Sequence, residues 1–358
     1  MTTPAESIPQ IGEAQIKLLE RLSNACAVSG DEGEVRKIVI DEVKPFADDL
    51  KVDALGNVLV TKHSSSSQPV RVMLSAHMDE VGLMLIHDDG EGIYRFDIVG
   101  SLYASDLAGK AVWIGKEHIP GVVGLKPLHL GNGDDRKRAL ELDDLHVDVG
   151  NSKGKEKVGD RATFATSFIS LGPSLRGKAL DNRLGVATLI ELVKHAPSNI
   201  ELLAAFTVQE EIGGRGARVA AYALNPDLAI NLGCTPAYDM PAWDMDENLR
   251  YNVRLGAGPA IYVADASTLY DPRLVCYMIQ VAEQNGIPYQ LRQPGGGGTD
   301  AGAIHRQRQG IPSISVSVPG RYPHSPASIA RLLDWQHTLS LVATAITQMP
   351  NDLLAGER

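Results

Sequence analysis

The sequence predicts an α/β fold interrupted by a separate β domain, and two observations predict it. Helical and strand-like patterns alternate over 1–82 and again over 173–358. Between them, over 83–172, short strand-like runs are broken by Gly, Pro and Asp, and no long helical pattern appears. A discontinuous α/β domain therefore encloses an inserted small β-barrel.

Each element follows from local pattern. Ile16, Leu19, Leu22 and Ala25 recur at helical spacing. Ser29-Gly-Asp-Glu32 has the form of a capping box for a second helix marked by Val35, Ile38, Val39 and Val43. VDALGNVLVTK gives two short strands about a Gly56-Asn57 turn. VRVMLSA (70–76) is a buried central strand that delivers His77 and Asp79 at its C-terminal end. In the insert, YRFDIVG, KAVWIG, GVVGLK, LHVDVG and RATFAT are strand-like, and 129–144 is a long charged loop, mobile or in contact with another subunit. A helix is expected over 181–194, strands at 201–211 and 227–235, a helix over 271–286 with Gly286 as its end signal, a strand at 312–318 and a closing helix over 328–347.

Composition narrows the functional classes. The chain has 358 residues, 44% hydrophobic, and a net charge of 34 − 44 = −10. An acidic surface argues against nucleic acid or anionic membrane as partner. Three cysteines, Cys26, Cys234 and Cys276, fit neither a zinc finger nor a disulfide framework and suit a reducing compartment. The opening MTTPAESIPQIGEAQ lacks a basic start followed by an apolar run, so no signal peptide is expected. The expectation is a cytoplasmic enzyme.

Four segments place possible metal ligands at or just beyond strand ends: Ser75–Glu80 with His77 and Asp79, Lys178–Arg183 with Asp181, Val208–Glu211 with Glu210 and Glu211, and Arg321–Ser325 with His324. Each alone has a bland reading. A lone His is a surface residue, Asp-Asn is an N-cap, and Glu-Glu is a solvated face. Their arrival at one sheet edge is what points to a site, since ligands bind outside the carboxyl ends of strands. Imidazole and carboxylate suit zinc and related ions. Two metals sharing one carboxylate can polarise a carbonyl and acidify the attacking water, while a separate carboxylate moves the proton. Gly295–Gly298 lacks the Lys-Ser/Thr of a phosphate loop and is a flexible approach to Thr299-Asp300. Gly213–Gly216 brings backbone close to the site. Ser325 has no nucleophile-elbow context.

AHMDEVG, GVVGLKPLH, GKALDNRLG, VQEEIGGRGA, GPAIYVADAS, NGIPYQ, GGTDAGAIH and RYPHSP occur in this order along almost the whole chain. In this the chain resembles the tetrahedral (TET-type) metallo-aminopeptidases, also called glutamyl aminopeptidases and, mistakenly, cellulase M. The resemblance implies a three-layer α/β/α zinc-peptidase-like catalytic domain with 83–172 as a dimerisation barrel. It implies His77 on one metal, Asp181 bridging, Glu211 and His324 on the other, and Glu210 as general base and acid. Asp79 would orient His77 by accepting its other N–H, and the Asp181–Asn182 bond would be cis. One or two divalent ions (zinc, cobalt or manganese), short peptides as substrates, and dimers assembling into a dodecamer are implied likewise.

One position departs from the family's pattern. Where a further Asp ligand is expected, Asn231–Thr235 has Gly233. Cys234 and Asp239 are weak substitutes. Three outcomes are open: one tightly held metal, a second metal held weakly, or a non-catalytic or altered-substrate relative that keeps the fold.

Overall fold

The computed structural model describes residues 8–130, 138–150, 155–240 and 252–358. Of the charged loop expected over 129–144, residues 131–137 lie outside the described residues. Two helices, α1 (Glu13–Asn24) and α2 (Gly33–Val43), precede β1 (Asp49–Val52), β2 (Val58–Lys62) and β3 (Arg71–His77). Then come β4 (Gly82–Gly90), β5 (Ile93–Val99), a short α3 (Ala104–Leu107), β6 (Ala111–Ile114), β7 (Ile119–Leu125), β8 (Leu145–Asp148) and β9 (Arg161–Phe164). The chain continues through β10 (Ile169–Leu171), β11 (Ser174–Gly177), α4 (Leu180–Lys194), β12 (Glu201–Thr207), α5 (Arg215–Leu224) and β13 (Leu228–Pro236). It ends with β14 (Ala260–Tyr262), α6 (Pro272–Gln284), β15 (Gln290–Arg292), α7 (Asp300–Ile304), β16 (Ser313–Arg321), β17 (Ser328–Arg331) and α8 (Leu332–Thr347).

The main sheet runs β1-β2-β12-β3-β13-β16-β17-β11-β10, with β14 and β15 attached beside β16. Its centre, β12-β3-β13-β16, is parallel. These strands are apolar almost throughout because helices cover both faces. Alternate residues serve the two faces: Val72 and Leu74 join the core under α1, α2, α4, α6 and α8, while Met73 joins Ala217, Ala220 and Ile304 under α5 and α7. The result is a three-layer α/β/α domain. β4-β5-β8-β7-β6-β9 closes into a barrel with its own core of Leu83, Leu85, Phe96, Val112 and Val123. The barrel's strands end at Phe164, and β10, inside the interval 83–172, pairs instead with β11 at the end of the main sheet.

Three local expectations change. The helix start at Glu32 makes no side-chain cap, because the Ser29 hydroxyl donates to Asp79 Oδ2 at 2.6 Å instead. Residues 328–331 form β17, paired with β11 and β16, so the closing helix begins only at Leu332. The strand expected over 201–211 stops at Thr207, so Glu210 and Glu211 lie beyond it in the turn that follows.

The two domains share a buried ionic junction. Lys178 Nζ donates to Glu80 Oε1 and Oε2 at 2.7 and 2.9 Å, and Arg183 Nη2 donates to Oε1 at 3.0 Å. From the barrel, Thr163 Oγ1 donates to Oε2 at 2.8 Å. Burial alone would raise the Glu80 carboxyl, but the Lys178 and Arg183 charges more than offset it and hold it below the usual range. Removing the carboxylate leaves two cations buried without it. We expect Glu80→Gln to lose on the order of 3–5 kcal/mol in urea unfolding. A depressed carboxyl contributes fully above its unfolded pKa and loses that contribution as pH falls through its folded pKa. Wild-type stability should therefore drop on acidification below the ordinary glutamate range, and the loss should be smaller in Glu80→Gln.

Candidate active site

Parallel strands end together, and that brings the candidate residues to one edge. His77 closes β3 and is paired in register with Thr207 at the end of β12. The chain then turns: Gln209 takes φ +57°, and Gly213 and Gly214 take φ +115° and +60°. Gly216 is required for a different reason. A Cβ there would lie 2.3 Å from Asn57 Oδ1 and 2.4 Å from the Val208 carbonyl oxygen. Asn57 accepts from the Val208 N–H at 3.0 Å and donates to the Gly216 carbonyl at 3.1 Å, so the β1–β2 turn supports the segment that carries Glu210 and Glu211. Asp181 sits at the start of α4, where the Asp181–Asn182 peptide is cis. His324, φ +54°, follows β16.

Asp181 stands between the two imidazoles. Its Oδ1 is 3.4 Å from His77 Nε2 and its Oδ2 is 3.6 Å from His324 Nε2. His324 Nε2 is also 3.3 Å from Glu211 Oε2, and His77 Nε2 is 3.9 Å from Glu210 Oε2. Two ligand-like groups result, His77–Glu210–Glu211 and Asp181–Glu211–His324, each with donor atoms within 4.8 Å of one another. Asp79 acts otherwise than expected. Its carboxylate is 3.6 Å from His77 Nδ1, beyond hydrogen-bond reach, whereas its backbone oxygen is at 3.2 Å. The carboxylate instead accepts the backbone N–H of Glu210 at 3.0 Å, that of Glu211 at 3.1 Å, and the Ser29 hydroxyl. It fixes the Glu-Glu turn rather than the imidazole.

The electrostatics match a cation site. Burial pushes Glu211 up to about 7, because the charges of His324 and His77, opposed by Asp181 and Asp79, offset only part of it. Burial and the neighbouring acids Asp300, Glu211 and Asp79 raise Glu210 well above the usual range. Against burial, the neighbouring Asp181 and Glu211 carboxylates lift His324 to about 9, and Glu210, Asp181 and Asp79 lift His77 well above 6.5. Asp181 is held well below the usual range despite burial, by His324 and His77. Oxygen and nitrogen donors crowded with excess negative charge are a fitting donor set for a divalent ion.

Gly233 lines the same cavity of about 530 Å³ as His77 and Asp181. Neither substitute serves. Asp239 is clamped by Arg321, with Nε–Oδ1 and Nη2–Oδ2 both at 2.7 Å. Cys234 is buried, turns its Sγ toward Gly320, and joins neither ligand-like group.

The cavity holds residues that no spacing signal had marked with a role. Asp300 accepts from Thr207 Oγ1 at 2.5 Å through Oδ2, its Oδ1 has no partner, and burial pushes it up to about 6. Arg292 packs over the Tyr262 ring at 4.5 Å and leaves Nη1 unpartnered. Asp300 was visible as a helix start, Arg292 only as a charge in a short strand.

A profile of the M42 glutamyl aminopeptidases matches residues 56–341. The chain belongs to the M42 family. It is a peptidase of the aminopeptidase class, in agreement with its relatives. A putative aminopeptidase of Acetivibrio thermocellus is 35% identical over 340 residues, 93% of this chain and 99% of that protein. The lysyl aminopeptidase of Pyrococcus furiosus is 31% identical over 346 residues, 93% of this chain and 97% of that one. The TET1 peptidase of Pyrococcus horikoshii, which can assemble into a tetrahedron or a large octahedral shell, superposes with a TM-score of 0.82 at 31% identity, covering 94% of this chain and 100% of that one. No helix among the described residues is long and apolar enough to cross a membrane.

The role of Asp79 has a measurable consequence. Asp79→Asn keeps the size but weakens the acceptor for two backbone N–H groups. We expect about a 10–100-fold loss of kcat/KM or of metal affinity with unchanged circular dichroism.

Proposed function

We propose that this enzyme is a metal-dependent aminopeptidase that removes N-terminal residues from short peptides. The observation that carries the proposal is the placement of Asp181 between His77 and His324, with Glu210 and Glu211 on the same side. His77, Asp181, Glu211 and His324 would hold one or two divalent ions, zinc or cobalt first and manganese as an alternative. When bound, such ions supply Lewis acidity to the site. The chain's own residues do the rest. Glu210 takes the proton of the attacking water and returns it to the departing amine, a double role suited to a carboxyl raised above its usual range. Asp79 holds Glu210 in place through its backbone N–H.

Gly233 favours a second reading, a relative with altered substrates or no catalysis, because a ligand position is lost. Geometry makes the two separable. Among the described residues, the only close contact of a Cβ at Gly233 would be Ser317 Oγ at 2.9 Å, the end of a side chain that can turn aside. Gly233→Asp is therefore accommodated.

Self-association is also proposed, through the inserted barrel. Its surface exposes Ile86, Trp113 and Val122, and Tyr103 is 77% exposed. The assembly of the Pyrococcus horikoshii relative supports this. Sedimentation of the intact chain should give a species larger than a monomer, and a monomer at micromolar concentration would sink this part.

For catalysis, metal-stripped protein refilled with zinc or cobalt should cleave an aminoacyl-p-nitroanilide panel. Glu210→Gln should lose about 10²–10⁴-fold in kcat. Gly233→Asp should tighten metal binding and leave cleavage intact or improved. If wild type cleaves nothing in the panel and Gly233→Asp does, the second reading is correct and the missing carboxylate is its cause.

A further inference from the structure

A second mixed donor group lies where the barrel meets the α/β domain. Cys26 follows α1, Glu34 is in the first turn of α2, and His118 ends the turn between β6 and β7. Their donor atoms lie within 4.8 Å of one another. His118 Nε2 is 2.5 Å from Glu34 Oε1, and the Cys26 backbone N–H donates to Glu34 Oε2 at 2.9 Å. None of the three belongs to the active-site groups. A cavity of about 220 Å³ adjoins them, lined by Cys26, Glu34, Trp113, Lys116, Arg161 and Thr163.

We propose that Cys26, Glu34 and His118 form a separate divalent-metal site that binds a zinc-like ion and staples the barrel to the α/β domain. The donor chemistry selects the ion class. Thiolate sulfur, imidazole nitrogen and one carboxylate oxygen suit zinc or cobalt and are poor for calcium or magnesium. Two anionic donors around a dication leave no net charge, which suits a half-buried place.

The geometry is near what the ion needs. Zinc–sulfur and zinc–nitrogen bonds of about 2.3 and 2.0–2.1 Å set tetrahedral donor-to-donor edges of roughly 3.3–3.6 Å. The Glu34–His118 contact, at 2.5 Å, must open by about an ångström, and the other edges, all within 4.8 Å, must shorten by no more than about 1.5 Å. Both side chains have room to adjust, being 38% and 41% exposed. The second Glu34 oxygen is fixed by the Cys26 N–H, which orients the carboxylate as outer partners of metal ligands do. An ion pair between Glu34 and His118 would explain two of the three residues, but it calls for no thiol and no hairpin residue at φ +52°, the angle His118 adopts.

The thiol's environment sets the pH dependence. With no ion present, burial, with Glu80 and Glu34 opposing Lys178 and Arg183, pushes Cys26 up to about 12. Lys116, Arg161 and Asp31 face the same cavity. Binding must displace the thiol proton, so affinity should rise with pH.

The test uses the full chain in a His77→Ala/His324→Ala background, which removes both active-site imidazoles. This background should retain about one zinc per chain after dialysis. Cobalt in its place should show a thiolate-to-metal charge-transfer band, and zinc should raise the Tm. Cys26→Ser should abolish all three signals. His118→Ala, on an exposed turn that does not threaten folding, should weaken them at least tenfold. A background that holds no metal, or metal that survives both substitutions, would overturn the proposal.

Discussion

Asp181, Glu210, Glu211 and Asp300 line one cavity with His77 and His324, Asp79 is buried behind them, and the mutual repulsion of these acids is what the surrounding structure works against. Burial already opposes each negative charge, and every added carboxylate raises the others. Such a cluster persists where fixed dipoles and hydrogen bonds hold its members. Here the parallel strands provide that hold. β3, β12, β13 and β16 end side by side, so residues far apart in sequence converge without long loops. The residues gathered at this edge are pinned: Asp181 between two imidazoles, Glu210 and Glu211 by the Asp79 carboxylate, and the Asp300 carboxylate by the Thr207 hydroxyl.

Asp79 and Glu80 show how one dipeptide serves two ends of this problem. Asp79 turns toward the cavity and accepts two backbone N–H groups and a hydroxyl. Glu80 turns away and neutralises Lys178 and Arg183, which in turn donate to the carbonyls of Ala25, Leu22, Met78 and Asp79. The same carboxylate accepts from Thr163 on the barrel. The position of the inserted domain is thereby tied to the β3 end that carries His77. Shifts of the barrel are opposed by a buried ionic junction rather than by apolar contact alone, and ionic junctions are directional where apolar ones are not.

Much of this was legible in the sequence, for physical reasons that differ by element. The central strands were readable because burial on both faces demands near-continuous apolar runs, as in Val72-Met73-Leu74. The insert was readable from the loss of helical periodicity. The convergence of His77, Asp181, Glu210, Glu211 and His324 was approachable because strand ends share an edge. Partners of the polar groups were not. Ser29 has the sequence of a cap, yet its hydroxyl reaches a residue 50 positions away. The same limit hid the true partner of Asp79 and the clamp of Arg321 on Asp239. Local pattern encodes which face is apolar; it does not encode which distant donor wins a given acceptor. β17 escaped because four residues paired on two sides look, in sequence, like the first turn of the helix that follows them.

The glycine at 233 has to be weighed within the same charge balance. A carboxylate there would add a ligand, and it would also add one more negative charge to a cavity in which Glu211 already stands near 7. Its absence therefore acts in two directions. It removes a donor from the His77 side, lowering affinity for an ion there, and it spares the remaining acids one repulsive neighbour. Asp181, Glu211 and His324 remain as a three-donor group. On the proposed metal-dependent reading, the two ion positions would therefore be unequal, one tight and one loose. Among the described residues neither candidate substitute fills the gap: Cys234 joins neither ligand-like group, and Asp239 is held by arginine. The surrounding strands run unbroken through the position, in register from Ala229 to Pro236. The fold at this point does not depend on the missing carboxylate, which is why the difference is one of site chemistry and not of architecture.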